Sequence, residues 1–129
     1  MAWRSLLLMF SLGAVPVAPM ALQVQVQVQV QAQGLVPDSQ VRAINTARNA
    51  AVNTNGGLSV YRPAKCMFET TKLTNPCLIS NDQNGYVFRF LGGAPGWQQT
   101  NQQPTVQTQI RISTDGRTVE QLIYNGAPQ

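Results

Sequence analysis

Thr105–Ser113 reads TVQTQIRIS and Thr118–Tyr124 reads TVEQLIY, with Thr114-Asp115-Gly116-Arg117 between them. The first stretch alternates cleanly and puts Val106, Thr108, Ile110 and Ile112 on one face, the period of a half-buried strand. Asp-Gly accepts the positive φ angles of a tight turn. The three pieces together predict a β-hairpin closed by Asn125-Gly126, and hence an antiparallel sheet.

Working outward, Tyr86–Leu91 (YVFRFL) is the strongest strand pattern of the chain. Tyr86, Phe88 and Phe90 face one way, and Val87, Arg89 and Leu91 the other. The aromatic face is the expected core, at about 1.5–3 kcal/mol per large side chain buried. Asn81-Asp82-Gln83-Asn84-Gly85 before it is a turn cluster. Leu58–Arg62 (LSVYR, stopped by Pro63), Cys66–Glu69 (CMFE) and Cys77–Ser80 (CLIS) read as further short strands. Upstream, Val41, Ile44, Ala47, Ala51 and Val52 recur at helical spacing. Pro37-Asp38 starts that helix, with Asp38 or Ser39 as N-cap, and Gly56-Gly57 ends it. The predicted fold is α+β, one N-terminal helix packed on a four- to five-stranded antiparallel sheet.

The first residues carry a different signal. Arg4 precedes an apolar run from Leu6 to Val17, and Ala18, Pro19 and Ala21 follow. A basic start, an apolar middle and a small-residue exit are the parts of a secretory signal peptide. The run is short of the roughly 20 residues that a membrane helix needs. Cleavage is expected after Ala21, or as late as Ala32. Gln23–Gln31 then reads QVQVQVQVQ. It is either a self-associating strand or a repeat expansion in a cleaved or disordered segment, and the lack of charge and turn signals favours the second. The expected layout is a signal peptide over 1–21, a low-complexity Val-Gln linker over 22–36 and a small disulfide-stapled domain over 37–129.

Composition excludes several chemistries. The chain has 129 residues, a net charge of +4, two cysteines and no histidine. Its polarity lies in 16 Gln, 9 Asn and 10 Thr, and only 11% of its residues are charged. A four-ligand Cys/His zinc site cannot be assembled, and no imidazole is present to activate a nucleophile. The basic residues are scattered, without the patch or stripe of a nucleic-acid footprint. Asp38, Glu69, Asp82, Asp115 and Glu120 are isolated along the chain, and Asn81–Gly85 lacks the ligand pattern of a calcium loop. Gly92-Gly93-Ala94-Pro95-Gly96 lacks the Gly-Lys-Ser/Thr ending of a phosphate loop and reads as a wide turn.

Cys66 and Cys77 remain. In an exported chain the pair reads as a structural disulfide, since redox pairs are usually Cys-x-x-Cys at a helix start. Tyr61, Arg62, Arg89 and Trp97 are the candidate recognition residues, because aromatic and arginine side chains are enriched in binding hot spots. Tyr61 and Trp97 are expected at the surface in that role; the alternative is that Trp97 caps one end of the core. No catalytic residue, metal site or cofactor is assigned.

Two resemblances add to this. Asn55-Gly56-Gly57-Leu58, Cys66-Met67-Phe68, Pro76-Cys77-Leu78, Tyr86–Phe90, Gly92–Trp97 and Tyr124-Asn125-Gly126 together resemble small, uncharacterised secreted proteins of the cyanobacterial type. That likeness implies location and no activity. The order of helix, strands and Pro-Gly-Trp loop also resembles a cystatin-type inhibitor, with Gly34 and Pro95–Trp97 in place of that family's N-terminal glycine and late loop. The family's central Gln-x-Val-x-Gly motif is absent. The sequence thus points to a secreted or periplasmic, non-enzymatic binding or envelope-associated module, with a cystatin-like peptidase inhibitor as the alternative. Its partner is an unidentified protein or small ligand, not nucleic acid, and no integral membrane span is expected after processing.

Overall fold

Helix α1 spans Asp38–Thr54 and buries Ala43, Ile44, Ala47 and Ala51. Three of these four are alanines, so the helix backbone can lie close to what it covers. Its entry differs from the sequence expectation. Pro37 is the N-cap, with φ −58°, and no side chain caps the helix. The Pro37 carbonyl instead accepts from Gln40 N–H and Val41 N–H at 2.9 and 3.2 Å. Asp38 stands in the first turn, where its charge suits the helix dipole. Ser39 is drawn away from capping by the Tyr86 hydroxyl, 2.7 Å from its Oγ. Gly56 and Gly57 follow the helix at φ +99° and +95°, a conformation that other residues seldom adopt.

A computed structural model describes Gly13, Ala14 and residues 35–129. The expected signal peptide (apart from Gly13 and Ala14), both cleavage points and the Val-Gln tract lie outside the described residues. Five strands follow the helix: β1 (Arg62–Pro63), β2 (Leu78–Asp82), β3 (Gly85–Gly93), β4 (Val106–Ile112) and β5 (Val119–Gly126). All pairings are antiparallel. The order β3-β4-β5 follows the chain. One edge of β3 is shared. β2 pairs along its first half, from Asp82↔Gly85 to Leu78↔Phe88, and β1 pairs at its end, Arg62↔Gly93 and Pro63↔Gly92. The α+β fold expected from the sequence is the one observed.

The core lies between α1 and one face of the sheet. Tyr86, Phe88 and Phe90 of β3 join Ile110 and Ile112 of β4, with Tyr61 and Met67 contributed by the connection. The β4–β5 turn also packs against the helix. Gly116 has φ +79°, and a Cβ there would overlap the Ser39 carbonyl. Thr46 Oγ1 donates to the Gly116 carbonyl at 2.7 Å and Arg42 Nε to that of Asp115 at 2.9 Å. The glycine that makes the turn therefore also permits the docking.

The connection between α1 and β2 departs most from expectation. Leu58–Val60 is a turn rather than a strand, because Val60 N–H and Tyr61 N–H both bond the Gly57 carbonyl. Only Arg62 and Pro63 of that region pair with the sheet. Lys65–Phe68 is a 3-10 helix, not the strand expected over Cys66–Glu69. Met67 N–H bonds the Ala64 carbonyl at 2.9 Å and Glu69 N–H that of Cys66 at 3.2 Å. Cys66 and Cys77 form the disulfide, with Cα atoms 6.0 Å apart, within the usual range for such bonds. Among the described residues no helix is long and apolar enough to cross a membrane.

Candidate functional site

The end of β3 organises the site. Successive strand residues point to opposite faces, so Gly92 and Gly93 leave a gap on each side of the sheet. The Tyr61 ring lies against Gly92, on the helix side. Trp97 lies against Gly93, its Cγ 3.1 Å from where a Cβ would stand. Both rings are consequently packed away, Tyr61 at 2% exposure and Trp97 at 7%. A recognition role would place both at the surface; Tyr61 departs from that, and Trp97 takes the alternative of capping the core. Two adjacent residues without side chains open room for a ring on either face.

Trp97 turns the loop after β3 back across β1. Its Nε1–H donates to the Arg62 carbonyl at 2.9 Å, and Gln98 Oε1 accepts from Lys65 N–H at 2.8 Å. This loop and the 3-10 helix frame an open cleft of about 390 Å³, lined by Arg62, Lys65, Phe68, Pro95, Trp97 and Gln98 among others. A 3-10 helix repeats every three residues, so Lys65 and Phe68 stand above one another on the cleft side. Met67 between them is buried.

The floor of the cleft is braced from behind. The Arg48 guanidinium lies 5.0 Å from the Phe68 ring centroid, a cation–π distance. Its Nη1 donates to the Met67 carbonyl at 3.1 Å. Burial holds the Arg48 pKa below its ordinary value, yet arginine stays protonated in proteins. Asn75, only 6% exposed, donates to the carbonyls of Cys66 and Glu69 and accepts from Cys77 N–H at 2.8 Å. The disulfide and Asn75 together fix the 3-10 helix that carries Lys65 and Phe68.

The four candidate recognition residues do not form one surface. Arg62 is exposed and lines the cleft, and Trp97 supports its wall. Tyr61 lies inside the core. Arg89 lines a separate hollow of about 330 Å³ with Leu91, Gln107 and the tail residues Pro128 and Gln129. Lys65, Phe68 and Gln98 were missed. Read as a strand, Cys66–Glu69 places Phe68 with Cys66, and only the 3-10 geometry groups it with Lys65.

The cleft lining holds two cations, side-chain amides and the rings of Phe68 and Trp97, and among these residues there is no hydroxyl, thiol, imidazole or carboxylate. Nearby, Glu69 is engaged by Lys72 at 3.1 Å. Elsewhere Asp82 caps its own turn by accepting from Asn84 N–H, and Asp115 accepts from Ser113 Oγ and Arg117 N–H. The Ser113 hydrogen bond, then that of the Arg117 backbone, lower the Asp115 pKa. Among the described residues no group of three or more His, Cys, Asp and Glu side chains is gathered as for a metal.

No family model, curated protein or solved structure matches the chain. The two resemblances drawn from the sequence gain nothing from these comparisons. The Pro95–Trp97 loop, which would stand for the late loop of a cystatin-type inhibitor, has its indole packed inward.

Proposed function

We propose that the protein is an exported, non-enzymatic binding module whose ligand sits in the Arg62–Trp97 cleft. One observation carries the reading: a braced cleft lined by cations, amides and an exposed ring, without a group suited to nucleophilic or acid–base chemistry. Enzymes need a nucleophile or a positioned proton carrier in reach of the substrate. A pocket of this size falls within the roughly 300–1,000 Å³ typical of small-ligand sites.

Export is supported by the signal-like N-terminal residues and by the Cys66–Cys77 disulfide, a bond that persists in oxidising compartments. The envelope or the extracellular space is therefore where the ligand is sought.

The test is amide-shift mapping by NMR on the exported, isotope-labelled protein. Chemically defined anionic, neutral and cationic oligosaccharides and peptides serve as probes. The reading expects shifts clustered on Lys65, Phe68, Gly96 and Gln98 for at least one probe class. Shifts confined to the far side of the sheet, or none at all, would overturn it.

A further inference from the structure

The groups in the cleft are selective in what they suit. We infer that the ligand is an acidic polysaccharide, with a uronate unit seated between Arg62, Lys65 and Phe68. This rests on the cleft being the protein's binding site.

Charge is the first argument. Arg62 and Lys65 are exposed, and the ion pair seen among the described residues joins Lys72 to Glu69 instead. Arg62 uses Nε to hold the Leu58 carbonyl at 3.0 Å. That bond orients the guanidinium and leaves its two terminal nitrogens for a carboxylate. With no carboxylate in the lining, an anion enters without repulsion from the walls.

The ring is the second. Phe68 is 50% exposed, with the Arg48 cation at 5.0 Å and the disulfide at Cys66, two residues before it, holding it in place. A pyranose presents a face of C–H groups that can cover such a ring and remove apolar area from water. Gln98 and Gln99 line the same cleft, and their amides can donate to and accept from hydroxyls. Gln98 is already oriented by its bond to Lys65 N–H.

The main chain on the β1 side of the cleft is already engaged, which favours a glycan over an acidic peptide. Extended peptides are held largely by main-chain pairing. Here Ala64 N–H bonds the Leu91 carbonyl at 2.8 Å and Trp97 N–H that of Ala94 at 3.0 Å. Lys65 N–H and the Arg62 carbonyl are taken by Gln98 and Trp97. Pro63 and Pro95 have no N–H to give. The N–H groups of Gly96, Gln98 and Gln99 have no main-chain partner, but they lie in a turn rather than along an extended edge, so they offer no ladder to a peptide strand; the cations, side-chain amides and ring suit a sugar acid. Nucleic acid would need a longer basic track along its phosphates.

Calorimetric titration of the exported protein tests this with four probes. They are a galacturonate oligomer, its carboxyl-reduced neutral counterpart, a poly-glutamate peptide of equal charge and a single-stranded oligonucleotide. The galacturonate oligomer is expected to bind, and carboxyl reduction to weaken it about 10-fold or more. Arg62→Gln and Lys65→Gln should each weaken it about 10-fold, and added salt should weaken it too. Phe68→Ala should weaken it while the thermal midpoint stays within a few degrees, which separates contact from folding. Equal binding of all three anions, or unchanged binding in Phe68→Ala, overturns the uronate assignment. Preference for the peptide or oligonucleotide, with shifts at the cleft amides, overturns it too but leaves the binding-module reading standing. If none of the four binds, the uronate assignment falls, and the binding-module reading falls with it only if the cationic and remaining neutral probes also leave the cleft amides unmoved.

Discussion

The ring of Tyr61 occupies the space that a side chain at Gly92 would need. This contact fastens the short β1 segment to the end of β3, where Arg62 and Pro63 pair with Gly93 and Gly92. The position of Arg62 in the cleft depends on it. Gly92→Ala should therefore destabilise the fold by about 1–3 kcal/mol, the usual cost of overpacking. Urea unfolding measures it. Gly93→Ala meets Trp97 at 3.1 Å rather than overlapping it, and should cost less.

The Tyr61 hydroxyl is buried without a hydrogen-bond partner. Thr108 Oγ1 stands near it, but donates to Asn125 at 2.7 Å. Burial raises the Tyr61 pKa, and the Thr108 side chain offsets part of that. An unpaired buried hydroxyl carries a desolvation cost. Tyr61→Phe should be neutral or stabilise by up to about 1 kcal/mol; a loss above that would show an unseen partner.

The raised pKa also sets a pH dependence. Above the ordinary tyrosine range the unfolded chain loses this proton before the folded one does. Stability from Tyr61 is thus complete below the unfolded pKa and is lost as pH rises through the folded pKa. Unfolding measured against pH should show an alkaline decline that is shallower in Tyr61→Phe.

Asn55 and Asn125 exchange two side-chain hydrogen bonds, at 3.1 and 3.0 Å, and Thr108 joins them. They tie the end of α1 to β5. Asn125→Ala leaves two part-buried polar groups unpaired and should cost about 1–3 kcal/mol. Asn125→Asp keeps the acceptor for Thr108 but loses the donor to Asn55, so it should restore only part of the loss.

The disulfide closes a separation of 11 residues and should contribute about 3 kcal/mol. It also holds Lys65 and Phe68 in the cleft, so Cys66→Ser with Cys77→Ser should weaken ligand binding as well as stability. Protein recovered from outside the cells should begin after Ala21 or Ala32 by intact mass. Its thiols should resist alkylation until reduced.

Legibility followed the length of the local signal. The helix and the strands β3, β4 and β5 were readable because each carries a full run of its own period, and the Thr114–Arg117 turn joins the last two by its own chemistry. Leu58–Val60 and Lys65–Phe68 were misread because four or five residues with apolar members suit a strand, a turn or a 3-10 helix equally. What decided them was outside the segment: two left-handed glycines before one, and the Asn75 and disulfide ties to the other. The same short segments build the cleft. Arg62 was found by residue type alone, while Lys65 and Phe68 needed the 3-10 period to come together. The sequence leaves Trp97 open between surface and core cap and gives no sign that Tyr61 is buried, because nothing in their own neighbours shows that Gly92 and Gly93 receive the two rings.

The most direct measurement is co-sedimentation of the protein with the insoluble extracellular and envelope material of its own source. The wild type is compared with the triple variant Arg62→Gln, Lys65→Gln, Phe68→Ala. All three side chains are exposed, so the variant should remain folded, which circular dichroism checks. The account predicts that the wild type pellets with the material and the folded variant stays in the supernatant. Equal pelleting of the two, or a wild type that never pellets, would contradict a binding role for the cleft.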